Sequence, residues 1–290
     1  MKDIGYSHKP CVRDPELESR VKEITQTWPF EEQVKPHIIT SIVIVQTAYR
    51  HIPSVETKTL ITIHTALAIA IDDFAISDVI SHRNVFAGLC NSTAKSETGI
   101  LGQLARSLAM MQDHFLAFGA ATIRISTLQF INMCMLEEMT HDVELHRAGL
   151  GFVEYRRFLG GLPEAYAVFI WDKARFPDDK QYLHAIPSVL FVCSYSTDIL
   201  SFYKEELAGD TNTYLHARAQ ITRRSLLETF RDVIEETTAA VRRIRSILGE
   251  GDVREAWESF AEGYIEFHLA SPRYRLREIL NGGEYLLNEF

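Results

Sequence analysis

Residues 60–78 read LITIHTALAIAIDDFAISD, and from residue 60 to residue 71 apolar side chains fall on nearly every side of a helix. A helix with this pattern is buried all round. It then meets Asp72 and Asp73, whose charges are opposed by mutual repulsion and by the negative end of the helix dipole. A divalent cation at this position would offset both penalties. The alternative is that the helix emerges into water here and the two carboxylates are solvated.

Helical spacing continues along the rest of the chain. Glycine and proline cluster at places that would end helices, and there is no Asn-Gly hairpin and no set of alternating strands. With 290 residues, 46% of them hydrophobic, the chain can bury a large core. We predict a single all-α domain over residues 1–290, a bundle of roughly ten helices with room for an interior cavity. Apolar residues recur at helical spacing over residues 56–73, 98–145, 152–171, 179–207, 214–248 and 252–270.

Net charge and cysteine usage narrow the class of protein. A formal net charge of -9 argues against a nucleic-acid binder, which usually carries a basic face. The amino terminus lacks the apolar core of a signal peptide, and the longest apolar runs are too short to span a bilayer. We therefore expect a cytoplasmic protein with reduced thiols and no membrane segment. The four cysteines, Cys11, Cys90, Cys134 and Cys193, show no CxxC spacing. This spacing therefore indicates neither a zinc site nor a disulfide framework.

A second informative stretch, STDILSFYKE, covers residues 196–205. Thr197, Ser201 and Glu205 recur at i, i+4 and i+8, which places three oxygen-bearing side chains on one helix face. Mg²⁺ takes oxygen ligands at about 2.1 Å, so a magnesium site is one explanation. A polar stripe that faces water is the other.

The two stretches together favour the metal. An aspartate pair and an oxygen-bearing stripe on two helices could face each other across the mouth of a bundle, and Mg²⁺ in such sites shares its ligation with substrate phosphates. A phosphate also needs basic donors. The candidates, each of which taken alone is more often a surface residue, are Arg156, Arg157, Lys204, Arg273 and Arg275.

Four segments in order, DDFAISD, YRRFLGG, TDILSFYKE and FHLASPRYRL, resemble class I terpene cyclases, and most closely the fungal trichodiene synthase group. The likeness covers roughly residues 60 to 281. SFYKE and HLxxxRYRL are specific features of that group, whereas DD alone is a weak one. The resemblance implies one helical bundle around a central apolar cavity, in which a prenyl diphosphate is ionised and its carbocation cyclised. It favours farnesyl diphosphate as substrate and a sesquiterpene as product.

The resemblance also implies roles for individual residues. Three Mg²⁺ ions would clamp the diphosphate, with Asp73 beside the first ligand in the aspartate-rich motif, and Arg157 would sense the diphosphate ahead of a helix break at Gly160 and Gly161. The implied metal ligands are Asp72, Thr197, Ser201 and Glu205. The implied diphosphate-binding residues are Arg157, Lys204, Arg273 and Tyr274.

A carbocation needs aromatic faces around it, because a ring quadrupole stabilises positive charge without reacting with it. Phe267 matches an aromatic residue near the end of the last core helix of the family. Phe74, Phe191 and Tyr195 are further candidates for the cavity wall by helix position. Each of these residues is more often plain core. No dedicated general base is needed, since released diphosphate can accept the final proton.

The sequence departs from the family pattern at two places. Thr197 stands where the family usually has Asn or Asp, and a neutral hydroxyl is a weaker ligand than a carboxylate. Asp198 is rotated by about 100° around the helix, so it is not a simple substitute. Ile76 and Ser77 interrupt the acidic motif, which resumes at Asp78. Both changes bear on metal affinity and on the number of ions held.

Alternative functions remain open at this point. Glu138 and His141 form an ExxH, but a di-iron bundle needs a second one. A prenyl-chain-elongating synthase would carry a second DDxxD in place of TDILSFYKE. A non-catalytic or decayed helical binding protein is the third alternative, against which the joint presence of the candidate ligands and donors argues. A prenyl diphosphate is the expected partner, and a homodimer is possible.

Overall fold

The computed structural model describes residues 6, 12–73, 99–140, 143–280 and 285–287, apart from the side chain of residue 138. Within these residues the chain forms eleven α-helices and no strand, which confirms the all-α prediction. Short 3₁₀ turns lie at Asp179–Gln181, Leu183–Ala185, Pro272–Tyr274 and Leu276–Glu278. The helices are α1 (Pro15–Thr25), α2 (Glu31–Ala48), α3 (Val55–Asp73), α4 (Ile100–His114), α5 (Ala117–Thr140), α6 (Leu150–Leu159), α7 (Pro163–Val168), α8 (Ile186–Ala208), α9 (Tyr214–Thr222), α10 (Leu226–Leu248) and α11 (Asp252–Ala270).

The α3 helix is the buried helix that the opening stretch predicts. Nearly all its residues from Thr57 to Ile71 are buried, and it packs between α2 and α4. Burial ends abruptly at Asp72 and Asp73, which are accessible to solvent. The helix therefore carries its two carboxylates from the core to the mouth of the bundle.

The α8 helix is packed on two sides. Residues such as Val189 and Cys193 join the main core, while Tyr195 joins a second apolar cluster with Val153 and Tyr214. The segment Leu183–Ala208 is long and apolar enough to cross a membrane, as the core helices of many proteins are. Here it packs against α7, α10 and α11. Its two packed sides fix how the helix is rotated, and therefore where its polar stripe points.

A break separates α6 from α7. Gly160 ends α6 in an extended conformation, and Gly161 adopts a φ of +94°, which is open mainly to glycine. The buried Leu162 follows at a φ of +57°, a conformation that costs a residue with a side chain roughly 1–2 kcal/mol. The chain accepts this conformation because burial of the Leu162 side chain and the start of α7 at Pro163 hold it in place.

The α2 and α11 helices cross at Gly263. A Cβ atom at this position would lie 2.0 Å from the main-chain oxygen of Thr47 and 2.7 Å from the Cα atom of Ala48. No side chain fits between the two backbones. The close approach brings the aromatic face of α11, which includes Phe267, towards the centre of the bundle.

We therefore expect Gly263→Ala to lower the free energy of unfolding by about 3 kcal/mol, because one of the two backbones must move. Gly151→Ala is the matched control, since a Cβ atom there meets nothing within 4 Å. The control should unfold like the wild type or be more stable by up to about 1 kcal/mol. Urea unfolding followed by circular dichroism measures both values. Equal stability of the two variants would contradict the close crossing.

Candidate active site

A polar cleft of about 540 Å³ opens at the mouth of the bundle. Four helices supply its charged walls: Asp72 comes from α3, Glu137 from α5, Arg156 and Arg157 from α6, and Glu205 from α8. The cleft thus brings together residues that are up to 148 positions apart in the sequence, from Asp72 to Gln220. The segment between α8 and α9 and the first turns of α9 close its outer edge with Asp210, Thr211, Asn212, Thr213 and Tyr214.

The Asp72 carboxyl stands in unfavourable surroundings. It is accessible from the cleft, but the protein around it limits its hydration, and this burial raises its pKa to about 6. The neighbouring charges of Asp73 and Glu137 raise the pKa further, against smaller opposite effects of Arg273 and Arg157. Within the described residues no cationic side chain forms an ion pair with Asp72. The carboxylate is therefore placed to gain from a cation that enters the cleft.

The predicted oxygen stripe of α8 faces this cleft. Thr197, Ser201 and Glu205 all line it, so the i, i+4, i+8 stripe does not face bulk solvent. The Ser201 residue is 3% exposed, whereas Glu205 keeps a larger accessible fraction. Lys204 lies at the side of the stripe, with its Nζ 3.9 Å from Glu205 Oε1 and 5.9 Å from the centre of the Tyr274 ring. A lysine here adds positive charge to an otherwise acidic wall.

Arg157 is held rigidly at the floor of the cleft. Its Nε donates to Asp198 Oδ2 at 2.7 Å, and its Nη atoms donate to the main-chain oxygens of Ser194 and Gly160. The paired side chains of Arg157 and Asp198 are only 16% and 14% exposed. Burial raises the pKa of Asp198 to about 6, against the opposing effect of the guanidinium. The Asp198 carboxylate therefore serves to orient Arg157.

A second chamber of about 170 Å³ lies deeper in the bundle. It shares Asp72, Arg157, Gly161 and Thr197 with the polar cleft, so these four residues form the boundary between the two spaces. The chamber wall is rich in aromatic and aliphatic side chains. It includes Ile44, Ile69, Pro163, Tyr166, Tyr264, Phe267 and Tyr274.

Arg273 and Asp73 connect the carboxyl-terminal region to α3. The guanidinium donates to both carboxylate oxygens, at 3.1 and 3.3 Å, and His37 Nδ1 lies 3.5 Å from Asp73 Oδ2. Arg273 also lines the inner chamber, beside Tyr274. This ion pair places Arg273 near Asp72, but the guanidinium hydrogen-bonds to Asp73 and not to Asp72.

Two predicted cavity residues lie elsewhere. Phe191 and Tyr195 pack against each other, with ring centres 4.0 Å apart, and against Phe158. The Tyr195 hydroxyl donates to Glu154 at 2.5 Å and hydrogen-bonds to Tyr214. This cluster lies between α8, α6 and α9, and neither residue is part of the wall of the chamber as the described residues form it. Outside the described residues lie Phe74, Ile76, Ser77, Asp78 and His141, as does the side chain of Glu138.

Comparison with known proteins identifies the family. A family model described as trichodiene synthase (TRI5) matches residues 20–285. Monoterpene synthase 25 of Postia placenta is 46% identical over 96% of this chain and 83% of its own length, and terpene synthase 29 of the same fungus is 48% identical over 96% and 82%. An alpha-cuprenene synthase of Coprinopsis cinerea is 32% identical over 84% of this chain and 74% of its own.

The chain belongs to the trichodiene synthase family of terpene synthases. A solved structure of a cucumene synthase variant matches with a TM-score of 0.51 at 16% identity. The match covers 90% of this chain and 97% of the other, and it supports the fold alone. The family and the fold that the sequence motifs imply are both confirmed.

The donor set of this terpene synthase suits a hard cation. Asp72, Thr197, Ser201 and Glu205 present only oxygen atoms to the cleft, and Mg²⁺ accepts such ligands together with water and substrate phosphate. The described part of the chain contains no group of three or more His, Cys, Asp or Glu side chains placed to hold a metal alone. A site built from these residues would therefore be completed by hydroxyls, water and phosphate oxygens, in keeping with Mg²⁺ sites that use one or two carboxylates.

Sequence reasoning missed some functional neighbours. Glu137 faces Asp72 from α5, but it follows no motif in the sequence. Tyr264 lies three residues before Phe267 on α11 and hydrogen-bonds to Thr197, which only the packing of α11 on α8 reveals. The partnership of Asp198 with Arg157 had one signal: Asp198 points about 100° away from Thr197, towards α6.

The raised pKa of Asp72 predicts that the ionised carboxylate lowers the stability of the metal-free protein. Because the pKa in the folded state, about 6, lies above the ordinary value of 3.8, the ionised carboxylate destabilises the metal-free fold above pH 6. This cost disappears as the pH falls towards 4. In EDTA, Asp72→Asn should therefore melt at least about 2 °C above the wild type at pH 8, with the difference vanishing at pH 4.

Asp73→Asn is the matched control for this measurement. It removes the neighbouring carboxylate, but also the partner of Arg273, and should not raise the melting temperature. A lower melting temperature of Asp72→Asn at pH 8 would show that the ionised Asp72 is not strained in the metal-free protein.

Proposed function

We propose that this terpene synthase binds farnesyl diphosphate with Mg²⁺, ionises it and cyclises the resulting carbocation to a sesquiterpene. This makes it a carbon–oxygen lyase that releases diphosphate. The observation that carries the proposal is that the two spaces adjoin: a cleft lined by oxygen ligands and basic donors shares Asp72, Arg157 and Thr197 with an aromatic chamber. A charged diphosphate and an apolar chain find their matching surroundings on the two sides of this boundary.

The diphosphate end is proposed to lie in the cleft. Bound Mg²⁺, three ions on the family pattern, would act as a Lewis acid towards the diphosphate. Asp72 of α3 and Glu205 of α8 would contribute carboxylates to this site from two helices, and Ser201 and Thr197 would add neutral oxygens. Lys204 supplies an ammonium beside Glu205. Arg157 keeps its orientation through Asp198, which would fix the leaving group before the bond breaks.

Arg273 and Tyr274 are proposed to contact the diphosphate from the carboxyl-terminal side. Arg273 already pairs with Asp73 through two hydrogen bonds, so its guanidinium plane is set. The Tyr274 hydroxyl is protonated at neutral pH and can donate, and burial raises its pKa further, to about 12. Lys204 lies over the Tyr274 ring and links this side to α8.

The hydrocarbon chain is proposed to fold inside the inner chamber. Phe267 and Tyr274 lie edge to face, with ring centres 5.3 Å apart, and Tyr264 flanks Phe267 at 6.2 Å. Their ring faces can stabilise a carbocation. Burial also raises the pKa of Tyr264 well above the usual value, so no phenolate stands ready to attack the cation. Released diphosphate is the proposed acceptor of the final proton.

Geranyl diphosphate is a second candidate substrate. One relative at 46% identity is named a monoterpene synthase, whereas another, more distant at 24% identity, is named an (E)-beta farnesene synthase. The two substrates share the diphosphate and differ only in the chain that the inner chamber must hold. The same cleft residues would therefore serve both.

The substrate is tested with geranyl, farnesyl and geranylgeranyl diphosphates, each with Mg²⁺, and gas chromatography of the organic extract. We expect the highest kcat/KM with farnesyl diphosphate, and no turnover in EDTA. Asp72→Ala and Glu205→Ala should each lower kcat/KM by about 100-fold or more, because each removes a proposed ligand. Preference for geranyl diphosphate would make the protein a monoterpene synthase. Full turnover in EDTA would reject the metal assignment.

Diphosphate binding is tested without turnover. Inorganic diphosphate with Mg²⁺ should raise the melting temperature, since a ligand that binds the folded state at about 100 times its Kd adds roughly 2.7 kcal/mol of stability. Lys204→Gln should reduce this shift without lowering the melting temperature of the free protein. Lys35→Gln, on the surface of α2, should keep the full shift. An equal shift in both variants would remove Lys204 from the diphosphate site.

A further inference from the structure

Thr197 and Tyr264 meet at the boundary between the cleft and the inner chamber. Thr197 Oγ1 lies 2.8 Å from the Tyr264 hydroxyl oxygen and 3.1 Å from the main-chain oxygen of Cys193. The Tyr264 hydroxyl lies 3.2 Å from the same Cys193 oxygen. Thr197 lines both spaces, whereas Tyr264 is buried in the wall behind it. Two hydroxyl hydrogens are thus shared among three oxygen atoms.

The number of hydrogens decides what Thr197 can offer to the cleft. A hydroxyl has one hydrogen and two lone pairs, and it can ligate a cation only when the hydrogen points elsewhere. If Thr197 donates to Cys193 and accepts from Tyr264, one of its lone pairs stays free. If Thr197 donates to Tyr264 and Tyr264 donates to Cys193, both lone pairs stay free. In each arrangement the Thr197 hydrogen is directed into the wall.

We propose that Tyr264 is a positioning residue, which orients the Thr197 hydroxyl so that a lone pair faces the cation in the cleft. The inference rests on the proposed function, because it requires Mg²⁺ in that cleft. It explains how a threonine can serve at a position where an amide or a carboxylate would need no such help. The oxygen of an Asn side chain carries no hydrogen, so its lone pairs are available in any case. Without the Tyr264 hydroxyl, only the main-chain oxygen of Cys193, at 3.1 Å, would draw the Thr197 hydrogen away from the cleft.

The test is a double-mutant cycle between Tyr264→Phe and Thr197→Asn. Tyr264→Phe keeps the ring in the wall and removes only the hydroxyl. Calorimetry measures the Mg²⁺ concentration that gives half-maximal binding of inorganic diphosphate, a readout that needs no turnover. In the wild-type background we expect Tyr264→Phe to raise this concentration about 10-fold, the lower end of the cost of losing an outer partner of a metal ligand. In the Thr197→Asn background the same change should cost less than about twofold.

Two further variants separate positioning from general damage. Tyr49→Phe removes another buried tyrosine hydroxyl, one that donates to the Tyr166 main-chain oxygen at 2.8 Å, and should leave the Mg²⁺ requirement unchanged. Thr197→Val removes the proposed ligand itself, and should raise the requirement at least as much as Tyr264→Phe. Circular dichroism verifies that each variant is folded.

Each outcome bears on a different step. An equal effect of Tyr264→Phe in the wild-type and Thr197→Asn backgrounds would overturn the positioning role, since a purely structural tyrosine acts the same in both. Wild-type behaviour of Thr197→Val would also overturn it, while leaving the proposed function intact. Absence of Mg²⁺-dependent diphosphate binding in the wild type would overturn the proposed function itself, and this inference with it.

Discussion

Carboxylates gathered at the mouth of an apolar bundle need positive charge, and this constraint organises the site. Asp198 is satisfied by Arg157, and Asp73 by Arg273. Asp72 has no ion-pair partner among the described residues, and burial, together with the charges of Asp73 and Glu137, raises its pKa to about 6. The two paired aspartates hold the basic groups in place, whereas Asp72 is the one that the proposed cation would neutralise. Both uses follow from the cost of burying charge.

The packing of the α8 helix fixes the directions in which its polar side chains point. Its apolar residues pack against the main core on one side and against the Tyr195 cluster on the other, so the helix cannot rotate. The stripe through Ser201 and Glu205 is therefore fixed towards the cleft, and Asp198 is fixed towards Arg157 on α6. Packing thus aims the polar side chains.

Motifs and periodicity predicted the fold class and the two walls of the cleft, but several helix boundaries were misplaced. The stretch 214–248 reads as one helix, yet it breaks at Arg223 because Ser225 and Glu228 form a capping box that starts α10. That signal was readable in the sequence. The positions of Phe191 and Tyr195 could not be read from the sequence. Helical spacing alone does not show which apolar face of α8 meets the cavity and which meets α6 and α9.

Thr197 shows that a sequence motif gives the residue type at a position, but not how well that side chain would serve as a metal ligand. Judged by its side chain alone, a threonine is a poor replacement for an amide or a carboxylate ligand. At the proposed metal site its value depends on where its hydrogen goes, and its hydrogen-bond partners are Tyr264, 67 residues away on α11, and the main-chain oxygen of Cys193 one helical turn earlier. The close crossing of α2 and α11 at Gly263 lies next to Tyr264 in the sequence, so the backbone contact that sets the position of α11 also places this hydroxyl. On this proposal, the strength of Thr197 as a ligand depends on how three helices, α2, α8 and α11, pack together.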